Sequence, residues 1–334
     1  MTMQYEQENI NLGGAGGGAN TFVVGPPGSG ASFNSIQDAI DTAGEREIDN
    51  IASVLVLGGT YQENISLLRG VSVLGLGGAI LEGSATFDLN TSPVDPQDTV
   101  SVIQNFIIEP PVGTPGIVIT GANFQQVALN NLLVNVQGAT AFEMSNTGTN
   151  GPNISSAIVN SCQFDSDSLR LDHSAGGLLL GNCALQGDPS MPGANIAGAF
   201  HAAQYCVFEG IVTIAAGSFA DHSFCKYNTS LGPAIDVDGF LNVAQSALQA
   251  GSSPAIISSG ATGSCGFVDL AWGSPAGIGF GPGVSTFSAG QAYVPSPPAA
   301  AAYATPPTSL EDAVDRIAIA LATAVAPGGG IPPI

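Results

Sequence analysis

The densest set of side chains able to do chemistry is DSDSLRLDHS (165–174), which gathers Asp165, Asp167, Arg170, Asp172 and His173 within ten residues. Paired carboxylates flanking a sugar linkage can cleave it, one as acid and the other as base or nucleophile. Asp165 and Asp167 alternate, so on a strand they share a face. No second acidic cluster lines up with them, and the plainer reading is a solvated turn holding one ion pair. A catalytic set built from Asp165, Asp167, Asp172 and His173 is therefore the weaker expectation, and no catalytic residue is assigned. His222 beside Asp221 is a weaker signal still.

The segment GPPGSGAS (25–32) has the glycines of a phosphate-binding loop. Its lysine position is held by Ala31, so nothing reaches a terminal phosphate. A Gly-rich turn entering a helix is expected instead. Four cysteines with His173, His201 and His222 are residue types that bind metals, but their spacing is wrong for it. Zinc ligands come in close pairs that converge, whereas Cys162, Cys183, Cys206 and Cys225 are separated by steps of 21, 23 and 19 residues. Asp236 and Asp238 are too few to hold calcium by themselves. No metal and no cofactor is expected.

Those steps disclose the elements that position everything else. The settings NSCQF, GNCALQG, QYCVFEG and SFCKY match one another. AQSALQAG continues the series with Ser246 in the cysteine slot, and SCGF would add Cys265. Looking backwards, NNLLV and QNFII place Leu132 and Phe106 in the same slot. A period near 21 residues, with short β-type runs and Gly/Asn/Asp turns, signals a solenoid whose turns bury their apolar faces only against neighbouring turns. The dense leucine spacing of leucine-rich repeats is missing. The cysteines are then an inward ladder (Cys162, Cys183, Cys206, Cys225, Ser246, Cys265), behaving as small hydrophobes. Residues 50–275 leave room for about ten such turns.

Composition narrows the function. Of 334 residues only 9% are charged, against roughly 25% in an ordinary soluble protein. The net charge of −21 reflects the presence of just five cations, Arg46, Arg69, Arg170, Lys226 and Arg316. Five scattered cations make no footprint for phosphates, which excludes nucleic acid and, for the same reason, an anionic membrane surface. No basic region followed by an apolar stretch opens the chain, and no run of about 20 apolar residues could span a bilayer. An odd number of cysteines in such a chain argues against a disulfide framework.

SFNSIQDAIDTA (32–43), followed by SVLVLGGTYQENISLLRGVSVLGLGG (53–78), resembles the opening of pectin-lyase-like β-helix proteins. The resemblance implies an all-β, right-handed parallel β-helix closed by an N-terminal capping helix. It implies little about activity, because that superfamily holds esterases, lyases, hydrolases and inert virion spikes. The downstream Gln/Asp/Asp/Arg set of the pectin esterases is not evident.

The expected organisation is an arm (1–21), a strand and capping helix (22–50), the β-helix (51–273), a Gly/Pro/Ala-rich extension (274–308), and a C-terminal α-helix with its tail (309–334). In that last helix Leu310, Val314, Ile317, Leu321 and Ala324 are spaced 4, 3, 4 and 3, a heptad seam that suits packing with copies of itself or, as the plainer alternative, on its own β-helix. The extension, helix and tail resemble the ends of tailed-phage virion proteins. That resemblance implies a homotrimeric capsid decoration (cement) protein or short spike, assembled in the host cytoplasm. It would be anchored to the major capsid protein or other virion proteins through the arm and tail. The alternatives are a β-helix carbohydrate-active enzyme, such as a tailspike depolymerase or pectin-esterase relative, and a non-catalytic glycan-binding module.

Overall fold

The computed structural model describes residues 21–45, 52–68, 70–88, 100–121, 126–145, 156–198, 200–250, 256–257 and 264–272. Among the described residues every strand pairing is parallel, and the chain winds as a right-handed parallel solenoid. Side chains in these runs alternate between buried and partly exposed, as in Ala52–Val56 and Gln126–Asn130. Period-2 alternation is what a strand with one face on a core requires. A one-residue slip would turn every apolar side chain outward, so the register between coils is tightly specified.

Each central coil has three strands. A long one such as Ser156–Asn160 lies over Gly177–Gly181, then Phe200–Gln204, then Phe219–Ser223, residue upon residue. One residue in the left-handed region then turns the chain into a second short strand, such as Gln163–Ser166. These two strand stacks form a single 17-stranded sheet, and the third strands form a sheet of nine, from Ile65–Leu67 to Ile256–Ile257.

The turning residues are Asn105, Asn131, Ser161, Asn182, Tyr205 and Phe224, with φ between 51° and 61°. Asparagine tolerates this conformation best among non-glycine residues, and Asn131 Nδ2 also donates to Asn105 Oδ1 at 2.9 Å. The next residue points inward: Phe106, Leu132, Cys162, Cys183, Cys206, Cys225 and Ser246 occupy this slot, all buried. Each of the four thiols donates to the carbonyl two residues before it, as Cys183 does to Gly181 O at 3.2 Å. Ser246 Oγ donates to Ala244 O in the same way, at 2.9 Å.

Cys265 departs from the expected ladder. It stands opposite Leu241, while Leu270 stands opposite Ser246. The strand Ser264–Trp272 pairs with register shifts, so counting 19 residues onward from Ser246 lands in the wrong column.

The first coil is closed by helix α1 (Ile36–Glu45), whose Ile36, Ala39, Ile40 and Ala43 are buried on the barrel end. The helix begins at Ile36, with Phe33 lying before it and packing edge-on against Phe22. The opening strand Thr21–Val24 takes in the last residue assigned to the arm. The arm before it, the extension and the seam residues Leu310, Val314, Ile317, Leu321 and Ala324 lie outside the described residues.

Candidate functional site

The turn after Thr21–Val24 spends its amides internally: Gly25 N donates to Phe33 O and Ser29 N to Pro26 O. The α1 N-terminus is an anion site by construction, and it is already filled. The Glu63 carboxylate accepts from Ile36 N (2.7 Å), Gln37 N (3.0 Å) and the Ser35 hydroxyl (2.8 Å). Ser35 Oγ caps Asp38 N. A side chain of the next coil thus stands where a phosphate-binding loop would hold phosphate.

The 165–174 cluster is dispersed. The strand Gln163–Ser166 ends before Asp167, and the chain turns into Leu171–His173 of the other sheet. Asp165 faces outward on the second strand. Asp167 Oδ1 accepts from Gly138 N at 2.6 Å and ties two turns together. Asp172 accepts from Asn195 Nδ2 at 2.9 Å on the opposite sheet, and His173 points into the barrel, fully buried.

Arg170 is not half of a solvated ion pair. It is fully buried, with Nε on Gln186 O (3.1 Å), one terminal nitrogen on Pro192 O (2.8 Å) and the other on Asp188 O (2.7 Å). Burial pulls its pKa down, against the pull of Asp188 and Asp165. Three carbonyls of the following coil therefore converge on one guanidinium. Gly187 is required beneath it, because a Cβ there would lie 2.4 Å from the guanidinium and 2.3 Å from Ser166 O.

The three histidines come together inside the barrel, away from solvent. His201 Nδ1 lies 2.8 Å from His222 Nε2, and His222 Nδ1 hydrogen-bonds with the Tyr227 hydroxyl. The His173 and His201 rings are 5.8 Å apart. Burial lowers His173 to about 4 and His222 to about 3, drives His201 well below its ordinary value, and pushes Tyr227 well up. The chain of rings is therefore neutral at pH 7. Both His173 nitrogens, His201 Nε2 and Ser218 Oγ are buried without a hydrogen-bond partner. Among the described residues, no group of three or more His, Cys, Asp or Glu is arranged to hold a metal ion. The Cys162 thiol is pushed up by its contact with Cys183 and by burial, and Cys206 by Cys183, Cys225 and burial; all four ladder thiols are buried.

Another feature runs along the outside. Three residues after each slot position, Glu82, Glu109, Asn135, Asp165, Gln186, Glu209, Asn228 and Gln249 stack one per coil, with Gln62 ahead of them. Gln62 Nε2 donates to Glu82 Oε2 at 2.8 Å, and Glu209 accepts from Gly187 N at 3.2 Å. At one end of this ladder an open groove of about 490 Å³ is lined by Gln62, Glu63, Asn64, Glu82, Glu109, Pro110 and Pro111. The ladder was legible in the repeat as the third position after the cysteine slot. Its changing identity, amide in one coil and carboxylate in the next, hides it from a search for one motif.

No protein-family model and no curated protein matches the chain. Among solved structures, two crystal structures of the pectin methylesterase from Aspergillus niger, in its penultimately deglycosylated and deglycosylated forms, are similar to it at 13% identity. The TM-scores are 0.30 and 0.29, and each match covers 81% of this chain and 87% of the other. A likeness of that size says nothing about chemistry, and the architecture rests on the strand register given above.

Proposed function

We propose that the chain is a structural subunit, not an enzyme: a stiff rod that assembles with copies of itself, as a trimeric decoration protein or short spike on a virus particle. The observation that carries the reading is the dispersal of the acidic cluster. Three of the four candidate side chains are taken up by the architecture, Asp167 by a turn amide, Asp172 by Asn195, and His173 by the interior, which leaves Asp165 outward without a second candidate beside it. The virion setting is supported by the likeness of the extension and tail to phage virion proteins. The direct test is native mass by light scattering together with immunodetection on purified particles. Three chains of 33.3 kDa give roughly 100 kDa for the closed assembly, and a protein missing from every particle fraction would sink the reading.

A second reading, recognition or cleavage of a polysaccharide, is favoured by the outward ladder. Glu82 and Glu109 occupy one column in adjacent coils, about 4.8 Å apart along the axis, near the carboxylate spacing of retaining glycosidases, about 5 Å. Scarcity of cations confines the ligand to neutral sugars. Release of reducing ends that disappears in Glu109→Gln would establish this reading over the first.

A further inference from the structure

We infer that copies of this chain meet along the corner marked by Tyr205 and Phe224, which stack on one another at 4.9 Å on the outside of the solenoid. This inference rests on the reading of the chain as a self-assembling subunit and names the face that does the assembling.

Backbone conformation is the first ground. Tyr205 and Phe224 hold φ of 55° in the column where other coils use Asn105, Asn131 and Asn182. An aromatic residue is strained in the left-handed region, where asparagine is accommodated. The two rings are also 54% and 44% exposed, so folding gains little from them. Local strain and exposed apolar area are both tolerated here, which is the expected signature of a surface kept for a partner.

The surroundings extend the patch. The long strands that lead into the corner expose Ile158 and Leu179 in their middle outward column, and at their far end, about 16 Å from the corner, Phe200, Phe219 and Phe240 stack at 5.6 and 5.0 Å. Across the corner the nearest outward column holds Gln163, Ala184, Val207, Lys226 and Ala247. The five strands from Ser156–Asn160 to Phe240–Gln249 span about 19 Å of the axis.

Charge identifies the partner as another copy. The molecule carries −21 and repels itself wherever acids are displayed. Among the described residues of this band only Asp221 and Lys226 are charged, one on each side of the corner and both in the same coil. A rotation axis parallel to the solenoid keeps every coil at its own height. Three chains around such an axis bring Asp221 of each level with Lys226 of the next, with the Tyr205 and Phe224 rings toward the centre. An opposite charge therefore meets each of these two residues without any further adjustment.

Sedimentation of the full chain and its variants over a hundredfold concentration range tests this. The wild type is expected as a trimer. The double variant Tyr205→Asn with Phe224→Asn places the column's own preferred residue at each turn, so its unfolding midpoint should be kept or raised. Its trimer should dissociate at concentrations at least tenfold higher than the wild type. Asp221→Lys and Lys226→Asp should each weaken the trimer severalfold, and their combination should restore it. A wild-type assembly untouched by the aromatic variant, or a combined charge variant no better than either single one, overturns the corner while leaving self-assembly standing. A wild type that is monomeric throughout overturns both.

Discussion

At the residue scale, the buried histidines give the fold a pH dependence whose sign follows from burial. His173 and His222 titrate at about 4 and about 3 in the folded chain, against about 6.5 when unfolded. Between those values the unfolded chain binds more protons, so stability is complete above pH 6.5 and falls as the pH drops toward the folded values. His173 alone should cost about 3 kcal/mol by pH 4. Denaturant unfolding at pH 7, 5.5 and 4.5 would show the fall, and His173→Phe should make it shallower by about 1.4 kcal/mol per pH unit. A slope identical in the variant would refute the assignment. None of this was evident in the linear sequence, where the three histidines are 28 and 21 residues apart. His173 comes from the opposite sheet, and His201 and His222 lie in neighbouring inward columns.

At the element scale, the repeat was readable because one inward slot does the same job in each coil. A small side chain there fits beneath the left-handed residue, and a thiol or hydroxyl also satisfies the carbonyl two residues back. Cys183→Ser should therefore keep stability within about 1 kcal/mol of wild type. Cys183→Ala loses both the bond and the packing, and should cost at least as much as the serine variant. Equilibrium unfolding decides it: an alanine variant more stable than the serine one would show that the bond contributes nothing. Where the regularity fails, the residue pattern no longer reports position. Asp165 and Asp167 share a face only if the strand continues, and it stops at Ser166. Cys265 fits the count but not the register, because the last long strands pair with irregularities that no residue type announces. The capping helix was legible in SFNSIQDAIDTA, although Phe33, at helical spacing from Ile36, lies before the helix that Ile36–Glu45 forms. The acid that holds its N-terminus, Glu63, comes from 27 residues beyond Ile36, and nothing local points to it.

At the scale of the whole molecule, coils that add by backbone pairing have no inherent limit to their number. An uncovered coil is an unpaired parallel edge, and any identical edge could extend it. Helix α1 lies over that edge at the first coil, held in place by Glu63 and by four buried apolar side chains. Glu63→Ala leaves two helix amides and the Ser35 hydroxyl without their carboxylate, and should loosen this cover by about 1 kcal/mol. Hydrogen exchange at Ala52–Val56 should then quicken before exchange in the central coils does. Removing the helix altogether should turn a particle of fixed length into a seed for head-to-tail threads, visible as rising turbidity and thioflavin fluorescence. The ten residues of α1 are in this sense the molecule's full stop: they set where the rod ends and keep one rod from being continued by the next.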